Sequence, residues 1–243
     1  MPVSRYCVYN HCMQIVRMHS WNVSTKEARE IQEKLASQVS RECKVNNPRL
    51  IAGVDISVNR FSKTGRGAVV VLSYPTLEIV ETSVVTDSIT FPYIPGLLSF
   101  REMPLLLAAF EKIKKIPDLV LVDGQGIAHP RRIGLASHLG LVLNIPTIGC
   151  AKSRLCGEHD VTGMKAGSYT GLKDSGEVIG AVLRTRDGVR PVYVSIGHMI
   201  DLPSAVHWVE ACCRGYRLPE PTRLAHQAAG GNLKETKSLT AVS

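Results

Sequence analysis

The sequence predicts an α/β fold built on one mixed sheet, in which three antiparallel strands precede parallel strands and helices flank the sheet. Three short β-rich segments lie between residues 50 and 86 and are separated by turn residues. Two more apolar strands, at residues 119–122 and 146–151, alternate with helical patterns, as parallel strands joined by crossover helices do. A chain of 243 residues that is 44% hydrophobic can bury one core of this size.

The first regular element is a helix over about residues 24–43. Ser24 and Glu27 have the spacing of a capping box, and apolar residues recur at helical intervals as far as Val39. A turn is expected at residues 65–67, because two glycines occur there. The antiparallel strands are predicted at residues 50–57, 68–73 and 77–86.

A proline-rich loop, residues 91–96, leads to a helix over about residues 99–115. Proline is tolerated only in the first turn of a helix, so Pro104 favours a helix that begins nearer Glu102. The remaining predictions are a helix over residues 131–143, strands on both sides of Asp187-Gly188 between residues 178 and 196, and helices over residues 203–213 and 219–229.

No internal repeat or long linker interrupts residues 23–230, so we expect a single domain there. Residues 1–22 show no clear period and predict an irregular arm, and the polar residues 231–243 predict a disordered tail. No apolar run reaches the roughly 18–20 residues of a membrane span, and no signal peptide is recognisable, which favours a cytoplasmic protein. Seven cysteines, an odd number, favour free thiols over a disulfide framework.

The composition points to an anionic partner. The formal net charge is +8 and the pI is near 9.2. Nucleic acid is the commonest partner of a basic soluble protein, although a merely basic surface is the alternative. Only 5% of the residues are aromatic, so stacking of bases on many rings is not the expected mode of binding.

Two aspartates lie in or directly after predicted strands whose other residues are mostly apolar. Asp55 lies within the first strand, and Asp123 follows the strand at residues 119–122. A carboxylate in apolar surroundings needs a cation or hydrogen bonds, and two of them at one sheet end suit Mg²⁺. The alternative is that each aspartate only caps a turn.

Four further polar residues are candidates for the same sheet end. Glu102 is a plausible third acid, but Ser99 and Glu102 also have capping-box spacing. Lys152 follows the strand at residues 146–151 and could stabilise charge on a phosphate, or it could be an ordinary solvated lysine. His129 and His226 are either functional or structural, and residue type alone does not decide between these roles.

The turn after Asp123 allows a dinucleotide-binding interpretation, because Gly124 and Gly126 follow a strand. That fingerprint needs a third glycine at position 129, where this chain has His129. Three antiparallel strands ahead of the turn also disagree with the strand order of such a domain. The turn is therefore better read as part of a phosphate site.

Together these segments resemble the endonuclease V family. The resemblance covers about residues 20–230, and its motifs occur in the family's order: Gly53-Val54-Asp55-Ile56-Ser57, Pro92-Tyr93-Ile94-Pro95-Gly96, Ser99-Phe100-Arg101-Glu102, Asp123 to Arg131, Gly149-Cys150-Ala151-Lys152-Ser153 and Pro221 to His226. It implies a ribonuclease H-like fold. It also implies a Mg²⁺-dependent repair endonuclease, with Mn²⁺ as a substitute, that recognises deaminated purines, chiefly deoxyinosine. Such an enzyme hydrolyses the second phosphodiester bond 3′ to the lesion and leaves 3′-hydroxyl and 5′-phosphate ends.

The resemblance also implies roles for the candidate acids and bases. It gives Asp55, Asp123 and Glu102 as the metal-binding acids. It places His226 close to the metal, either as a ligand or in activating water, and Lys152 near the scissile phosphate.

The implied contacts with substrate lie around the cleavage site. Tyr93, in the loop with Pro92, Ile94 and Pro95, matches the wedge that fills the gap left by an extruded base, and His129 lies beside the cleavage site. We further expect Arg131 to contact the nucleic acid backbone. Finally, we expect Gly126 and Gly149 to let the backbone approach the base, which backbone amides and carbonyls would recognise.

Three functional alternatives follow. The chain is a DNA repair endonuclease that acts as a monomer on inosine-containing DNA, an inosine-specific endoribonuclease, or a ribonuclease H-like binding module without catalysis. The presence of Asp55, Glu102, Asp123 and Lys152 favours an enzyme, because a mere binder does not need four clustered charges. Contacts to phosphate are common to DNA and RNA, so sequence does not separate the first two.

Overall fold

The computed structural model describes residues 13–58 and 63–233, and these residues form an eight-stranded mixed sheet with five helices. The strands are β1 (Leu50–Val58), β2 (Thr64–Ser73), β3 (Ile79–Ser88), β4 (Leu119–Val122), β5 (Thr147–Ala151), β6 (Tyr169–Asp174), β7 (Glu177–Leu183) and β8 (Val192–His198). The helices are α1 (Thr25–Ala36), α2 (Leu98–Phe110), α3 (Leu135–Leu143), α4 (Leu202–Ala211) and α5 (Glu220–Ala229).

The sheet has the strand order β3-β2-β1-β4-β5-β8-β7-β6. The strands β1, β2 and β3 pair antiparallel, whereas β1, β4 and β5 pair parallel, which confirms the predicted mixed sheet. Beyond β5 the pairing is antiparallel again. Strand β6 was not predicted, because it is an edge strand with one fully buried residue, Leu172, and so lacks a clear apolar alternation.

Several predicted boundaries were wrong. Helix α1 has the predicted capping box at Ser24 but ends at Ala36, because the chain after it pairs with the end of β8: Met199 N–H donates to the Ser40 carbonyl. The predicted turn at residues 65–67 belongs to β2. Its glycines allow α2 to lie close, since a Cβ atom on Gly67 would meet the Leu105 backbone at 3.0 Å.

Helix α2 begins at Leu98 rather than near Glu102. Its N-cap is Leu97, which is buried in an apolar cluster, so the capping-box interpretation of Ser99 and Glu102 is wrong. Pro104 therefore lies inside the helix, beyond the first turn where it was expected. The missing N–H of Pro104 leaves one helical hydrogen bond unmade.

Helix α3 begins at Leu135, four residues after the predicted start at Arg131. Arg132 has a φ angle of +55°, which lies in the left-handed region and interrupts a right-handed helix before it can begin. Both arginines therefore belong to the turn between β4 and α3.

Apolar side chains cover both faces of the sheet. On one face α4 and α5 pack against residues such as Ile51 and Leu121, and on the other α2 and α3 pack against residues such as Val54 and Val122. The five described cysteines, Cys43, Cys150, Cys156, Cys212 and Cys213, are free thiols, as predicted. None of the described helices has both the length and the apolar composition of a membrane span.

Residues 13–22 contain neither helix nor strand but pack onto the domain. Met13 is buried in the cluster beneath α2 and α3, and the Val16 N–H donates to the Val142 carbonyl at 2.8 Å. The rest of the predicted arm, residues 1–12, lies outside the described residues, as do residues 234–243 of the predicted disordered tail.

Candidate active site

The parallel pairing of β1 with β4 brings two carboxylates together. Val54 faces Val122 in the register, Asp55 is the next residue of β1, and Asp123 directly follows β4. The Asp123 N–H donates to the Val54 carbonyl at 3.1 Å, which holds the end of β4 against β1. The two predicted metal-binding aspartates are therefore neighbours at the same sheet end.

Helix α5 adds a histidine to this pair. Gly53, two residues before Asp55 and so on the same face of β1, lies directly under the helix, where a Cβ atom would overlap the Pro221 carbonyl. This close approach brings His226 Nδ1 to 2.6 Å from Asp55 Oδ2. One ligand atom from each of Asp55, Asp123 and His226 then lies within 4.8 Å of the others.

Lys152 follows β5 and completes the cluster. Its Nζ atom lies 2.5 Å from Asp123 Oδ2 and 3.4 Å from His226 Nδ1. The Asp123 carboxylate is largely buried, while the Lys152 side chain is 38% exposed. The ammonium is thus beside the acids and still open to solvent, where a substrate phosphate could approach.

Two side-chain donors, one of them buried, fix the backbone that carries Lys152. Arg217 Nη2 donates to the Lys152 carbonyl at 2.6 Å, and Gln125 Nε2 donates to the Ser153 carbonyl at 2.8 Å. Arg217 also binds the carbonyls of Arg190 and Pro191, so it ties the end of β5 to the loop before β8. The position of the lysine is therefore set by contacts from distant parts of the chain.

Two acids at this site, Asp55 and Glu102, have raised pKa values. Burial, followed by the negative charge of Asp123, raises the pKa of Asp55. Burial, followed by the charge of Asp55, raises the pKa of Glu102 to about 8, with a smaller contribution from Asp123. A cation bound beside these carboxyl groups would stabilise their charged forms.

The residues present fit a divalent cation. Asp123 Oδ2 is buried, and no residue in the described part of the chain gives it an aligned hydrogen bond, although Lys152 Nζ is close. Asp55 and Asp123 offer oxygen donors and His226 offers a nitrogen, and all three point to one region. Glu102 is not among these three ligand residues, but its side chain lines the cavity beside them.

A cavity of about 430 Å³ opens beside the acids. Its volume lies within the roughly 300–1,000 Å³ that is typical of small-molecule sites. The residues around it come from the loops at the ends of the strands and include Tyr93, Pro95, Gly96, Gln125, His129, Ser153, Arg154 and Leu155. An extruded nucleobase would have room there next to the cluster of charges.

The loop over residues 91–96, which we call the wedge loop, forms one side of this cavity. Tyr93 is 58% exposed and Pro92 is also exposed, whereas Ile94 packs partly against the cluster of Phe91 and Phe100. An aromatic ring thus projects from a loop that Phe91 and Ile94 hold to the domain. This is the position expected of a side chain that enters a nucleic acid.

His129 and Arg131 are both engaged inside the protein. His129 is 3% exposed, and its Nε2 atom lies 3.0 Å from the Gly96 carbonyl oxygen; burial, followed by the charge of Arg131, lowers its pKa to about 4. Arg131 donates through Nη2 to the same carbonyl at 2.7 Å. Their contacts with a substrate stay predictions, and their observed contacts hold the wedge loop.

Close packing of the backbone requires glycine at positions 126 and 149, the two glycines that we predicted to approach the base. A Cβ atom on Gly126 would overlap the Ile196 carbonyl, and one on Gly149 would overlap the Gly126 backbone nitrogen. Within the described ranges, neither is among the residues that line the cavity. Close packing of strand ends therefore explains both glycines, and backbone recognition of the base stays a prediction.

Three residues near the site were missed by the sequence reasoning. Gln32 shares the buried face of α1 with Ala28 and Leu35, and a polar residue at an apolar position was a usable signal. Gln125 lies within the recognised motif but was given no role. Arg217 lies in an irregular segment between α4 and α5, where no pattern marks it.

Comparison with known proteins agrees with this geometry. The family model described as Endonuclease V matches residues 33–227. Endonuclease V from Dehalococcoides mccartyi is 54% identical over 217 residues, covering 89% of this chain and 97% of that protein. Among solved structures, endonuclease V from Streptomyces avermitilis is 38% identical with a TM-score of 0.83, covering 91% of this chain and 97% of that one.

A second solved relative contains nucleic acid. Endonuclease V from Ciona intestinalis, in complex with a 24mer DNA containing an inosine followed by a ribo-adenosine, is 27% identical with a TM-score of 0.71. The match covers 86% of this chain and 97% of that one. The sheet and its flanking helices are the ribonuclease H-like fold of these structures. This chain is an endonuclease that belongs to the endonuclease V family.

Proposed function

We propose that this endonuclease cleaves nucleic acid beside deaminated purines, chiefly deoxyinosine in DNA, with Mg²⁺ as its cofactor and Mn²⁺ as a substitute. The observation that carries this proposal is the convergence of Asp55, Asp123 and His226 at the edge of a cavity that Tyr93 also lines. The inosine-containing DNA bound by the Ciona intestinalis relative supports inosine as the lesion. Oxygen donors suit both Mg²⁺ and Mn²⁺.

The acids would hold the cation. Asp55 and Asp123 are the ligands on the sheet, Glu102 approaches from α2, and the place of His226 Nδ1 among the donor atoms supports a ligand role. When bound, a divalent cation supplies Lewis-acid chemistry that offsets the charge developing on the phosphate. Lys152 would place a second positive charge beside the same phosphate.

The cavity and the wedge loop would recognise the lesion. A base flipped out of the helix enters a pocket, while Tyr93 fills the gap that it leaves in the stack. Because the cavity adjoins the acids, the phosphates just beyond the flipped base would lie at the cation. We propose cleavage of the second phosphodiester bond on the 3′ side, with 3′-hydroxyl and 5′-phosphate products.

Inosine-containing RNA is the second candidate substrate. The nucleic acid of the Ciona intestinalis relative carries a ribo-adenosine directly after the inosine. A 2′-hydroxyl at that position is the group by which a protein distinguishes RNA from DNA. A binding module without catalysis has less support, since the chain belongs to a family of endonucleases and keeps the acids and Lys152.

One assay tests these proposals together. Single-inosine DNA and RNA strands, and matched guanosine strands, are incubated with the protein with Mg²⁺, with Mn²⁺ or with a chelator. We expect cutting of inosine strands only, loss of cutting with chelator, and product lengths that place the cut at the second bond. Asp123→Ala should be inactive, and the exposed Asp160→Ala is the control. Cutting by Asp123→Ala, or equal cutting of guanosine strands, would contradict the proposal.

A monomer is the proposed working form, because the candidate ligands and Lys152 all come from one chain. A cytoplasmic location is proposed because the substrate is cellular nucleic acid. Light scattering at the concentration of the cleavage assay, with and without an inosine strand, tests the first point, and a dimeric mass would contradict it.

A further inference from the structure

Three side-chain donors converge on one backbone oxygen at the end of the wedge loop. The Gly96 carbonyl oxygen lies 3.0 Å from Gln32 Nε2, 3.0 Å from His129 Nε2 and 2.7 Å from Arg131 Nη2. A carbonyl oxygen has two lone pairs, so three donors saturate it. Gly96 itself has a φ angle of +79°, which a glycine adopts without strain. The loop is therefore pinned where it joins α2.

Gln32 is the member of this group that comes from outside the recognised motifs. It is 1% exposed, and its amide is bonded on both sides: Nε2 donates to Gly96 and, at 3.4 Å, to the Ile133 carbonyl, and Oε1 accepts from Arg131 Nε at 2.6 Å. The partners fix the orientation of the amide, because carbonyls only accept and a guanidinium only donates. A buried amide at this position is costly unless such bonds compensate it.

Gln32 thus contacts two segments that are not paired with each other in the sheet. Through Gly96 it holds the wedge loop, and through Ile133 and Arg131 it holds the turn between β4 and α3. His129 strengthens the same joint: it accepts from the Arg131 N–H through Nδ1, so Nε2 carries the proton that it donates to Gly96. These hydrogen bonds link the wedge loop to the turn, with Gln32 as the bridge from α1.

We propose that Gln32 is a positioning residue for lesion recognition, which presets the wedge loop so that Tyr93 enters the stack without a separate ordering step. This inference rests on the proposed function, in which Tyr93 replaces an extruded base. A loop that is already held in its bound conformation lowers the cost of binding, because less freedom is lost. Gln32 is not among the candidate metal ligands, so its effect falls on binding and extrusion rather than on hydrolysis.

The test compares Gln32→Leu and Gln32→Glu with wild type. Leucine fills a similar volume and removes all the bonds, whereas glutamate keeps the acceptor for Arg131 and loses the donors. The exposed Gln38→Leu, just beyond the end of α1, is the matched control. Base extrusion is followed by the fluorescence of 2-aminopurine placed next to inosine in a duplex, and cleavage is followed on duplex and single-stranded inosine substrates.

For Gln32→Leu we expect a KM about tenfold higher on the duplex, a kcat within about twofold of wild type, and a clearly reduced 2-aminopurine signal. The change should be smaller on single strands, where no paired neighbour is displaced. Gln32→Glu should recover part of the loss, and Gln38→Leu should match wild type. Wild-type KM and fluorescence in Gln32→Leu, or an equal loss of kcat on both substrates, would overturn the proposal.

Two further measurements separate possible failures. If Gln32→Leu does not melt cooperatively, Gln32→Glu decides the question by the same criteria. The fluorescence assay is repeated in the Asp123→Ala background without a divalent cation, where extrusion is measured in the absence of cutting. A wild type that cuts no inosine strand would refute the proposed function, whereas the fluorescence comparison would still confirm or reject the role of Gln32.

Discussion

His226 Nδ1 lies 2.6 Å from Asp55 Oδ2, although 171 positions separate the two residues in the chain. The contact depends on α5 lying directly on β1, at a point where only glycine leaves room for the helix backbone. The sheet supplies the carboxylates, and the last described helix supplies the imidazole. The predictions below follow from this arrangement and from the groups around it.

Removal of the imidazole should weaken the binding of the cation. If His226 is a ligand, His226→Ala lowers the affinity for Mn²⁺ by at least about tenfold, on the order of 1.4 kcal/mol. Mn²⁺ binding is measured by electron paramagnetic resonance in the absence of nucleic acid, which separates binding from cleavage. The exposed His207→Ala is the control. Unchanged Mn²⁺ affinity in His226→Ala together with lost cleavage would instead assign His226 to the activation of water.

Glu102 should make the metal-free protein less stable at high pH. Its pKa is about 8 in the folded protein and 4.5 as the reference value for glutamate. The folded state therefore holds a proton that the unfolded state releases, and stability falls as pH rises from about 4.5 to about 8. Each pH unit in this window corresponds to at most about 1.4 kcal/mol.

Glu102→Gln removes this titration, and we expect its metal-free Tm to exceed that of wild type by several degrees at pH 8 but not at pH 4.5. Melting curves across this pH range, without divalent cations, measure the effect. Glu111→Gln, at an exposed position after α2, is the control. Saturating Mg²⁺ should reduce or reverse the difference, since the cation favours the charged carboxylate. A parallel pH dependence in the two proteins would refute the assignment.

Gly53→Ala should displace α5. The new methyl group overlaps the Pro221 carbonyl, so the helix must shift or the strand must bend. Overpacking of this kind costs typically about 1–3 kcal/mol, which urea unfolding would measure. Gly171→Ala is the control, because the nearest atom to its Cβ position is 4.0 Å away, in the Lys173 side chain. If Gly53→Ala loses no more stability than Gly171→Ala, close packing between Gly53 and Pro221 does not determine the position of α5.

The ring of Tyr93, rather than its hydroxyl group, should matter for cutting a duplex. We expect Tyr93→Ala to lower kcat/KM on duplex inosine DNA by about tenfold, since base–aromatic stacking is worth about 1–3 kcal/mol. Tyr93→Phe should retain most of the activity. Tyr169 is 59% exposed against 58% for Tyr93, so Tyr169→Ala is a control of matched exposure on β6. An equal decrease of kcat/KM in Tyr93→Ala and Tyr169→Ala would contradict the proposal that Tyr93 acts as a wedge.

Sequence patterns predicted the parts of the fold that depend on local periodicity. The capping box at Ser24, the apolar strand β4 and the position of Asp123 after it are all local features, and the structure confirms them. The predicted start of α3 failed because the conformation of Arg132 is set by its contacts: its guanidinium binds Asp174 and Glu177 on the far β6–β7 hairpin. A pattern of neighbouring residues does not contain that information.

In the candidate site, too, the sequence predicts some features, whereas others depend on contacts between distant residues. Asp55 and Asp123 could be paired from sequence, because parallel strands bring their carboxyl ends to one edge. The approach of His226 to Asp55 was expected only from the family resemblance, since it depends on how α5 crosses β1. Gln32 donates to the backbone carbonyl of Gly96, and Arg217 donates to that of Lys152. Every residue has a backbone carbonyl, so the sequence does not show which residues accept such hydrogen bonds.

The dependence of the candidate site on α5 has a consequence for synthesis in the cell. The chain is synthesised from its N-terminus, so β1 and β4 leave the ribosome before α5 has been made. A nascent chain at that stage holds both aspartates but lacks His226, whose Nδ1 atom lies 2.6 Å from Asp55 Oδ2 in the complete domain. If the site has the composition proposed above, the nuclease gains its complete set of candidate ligands only once α5 has been made.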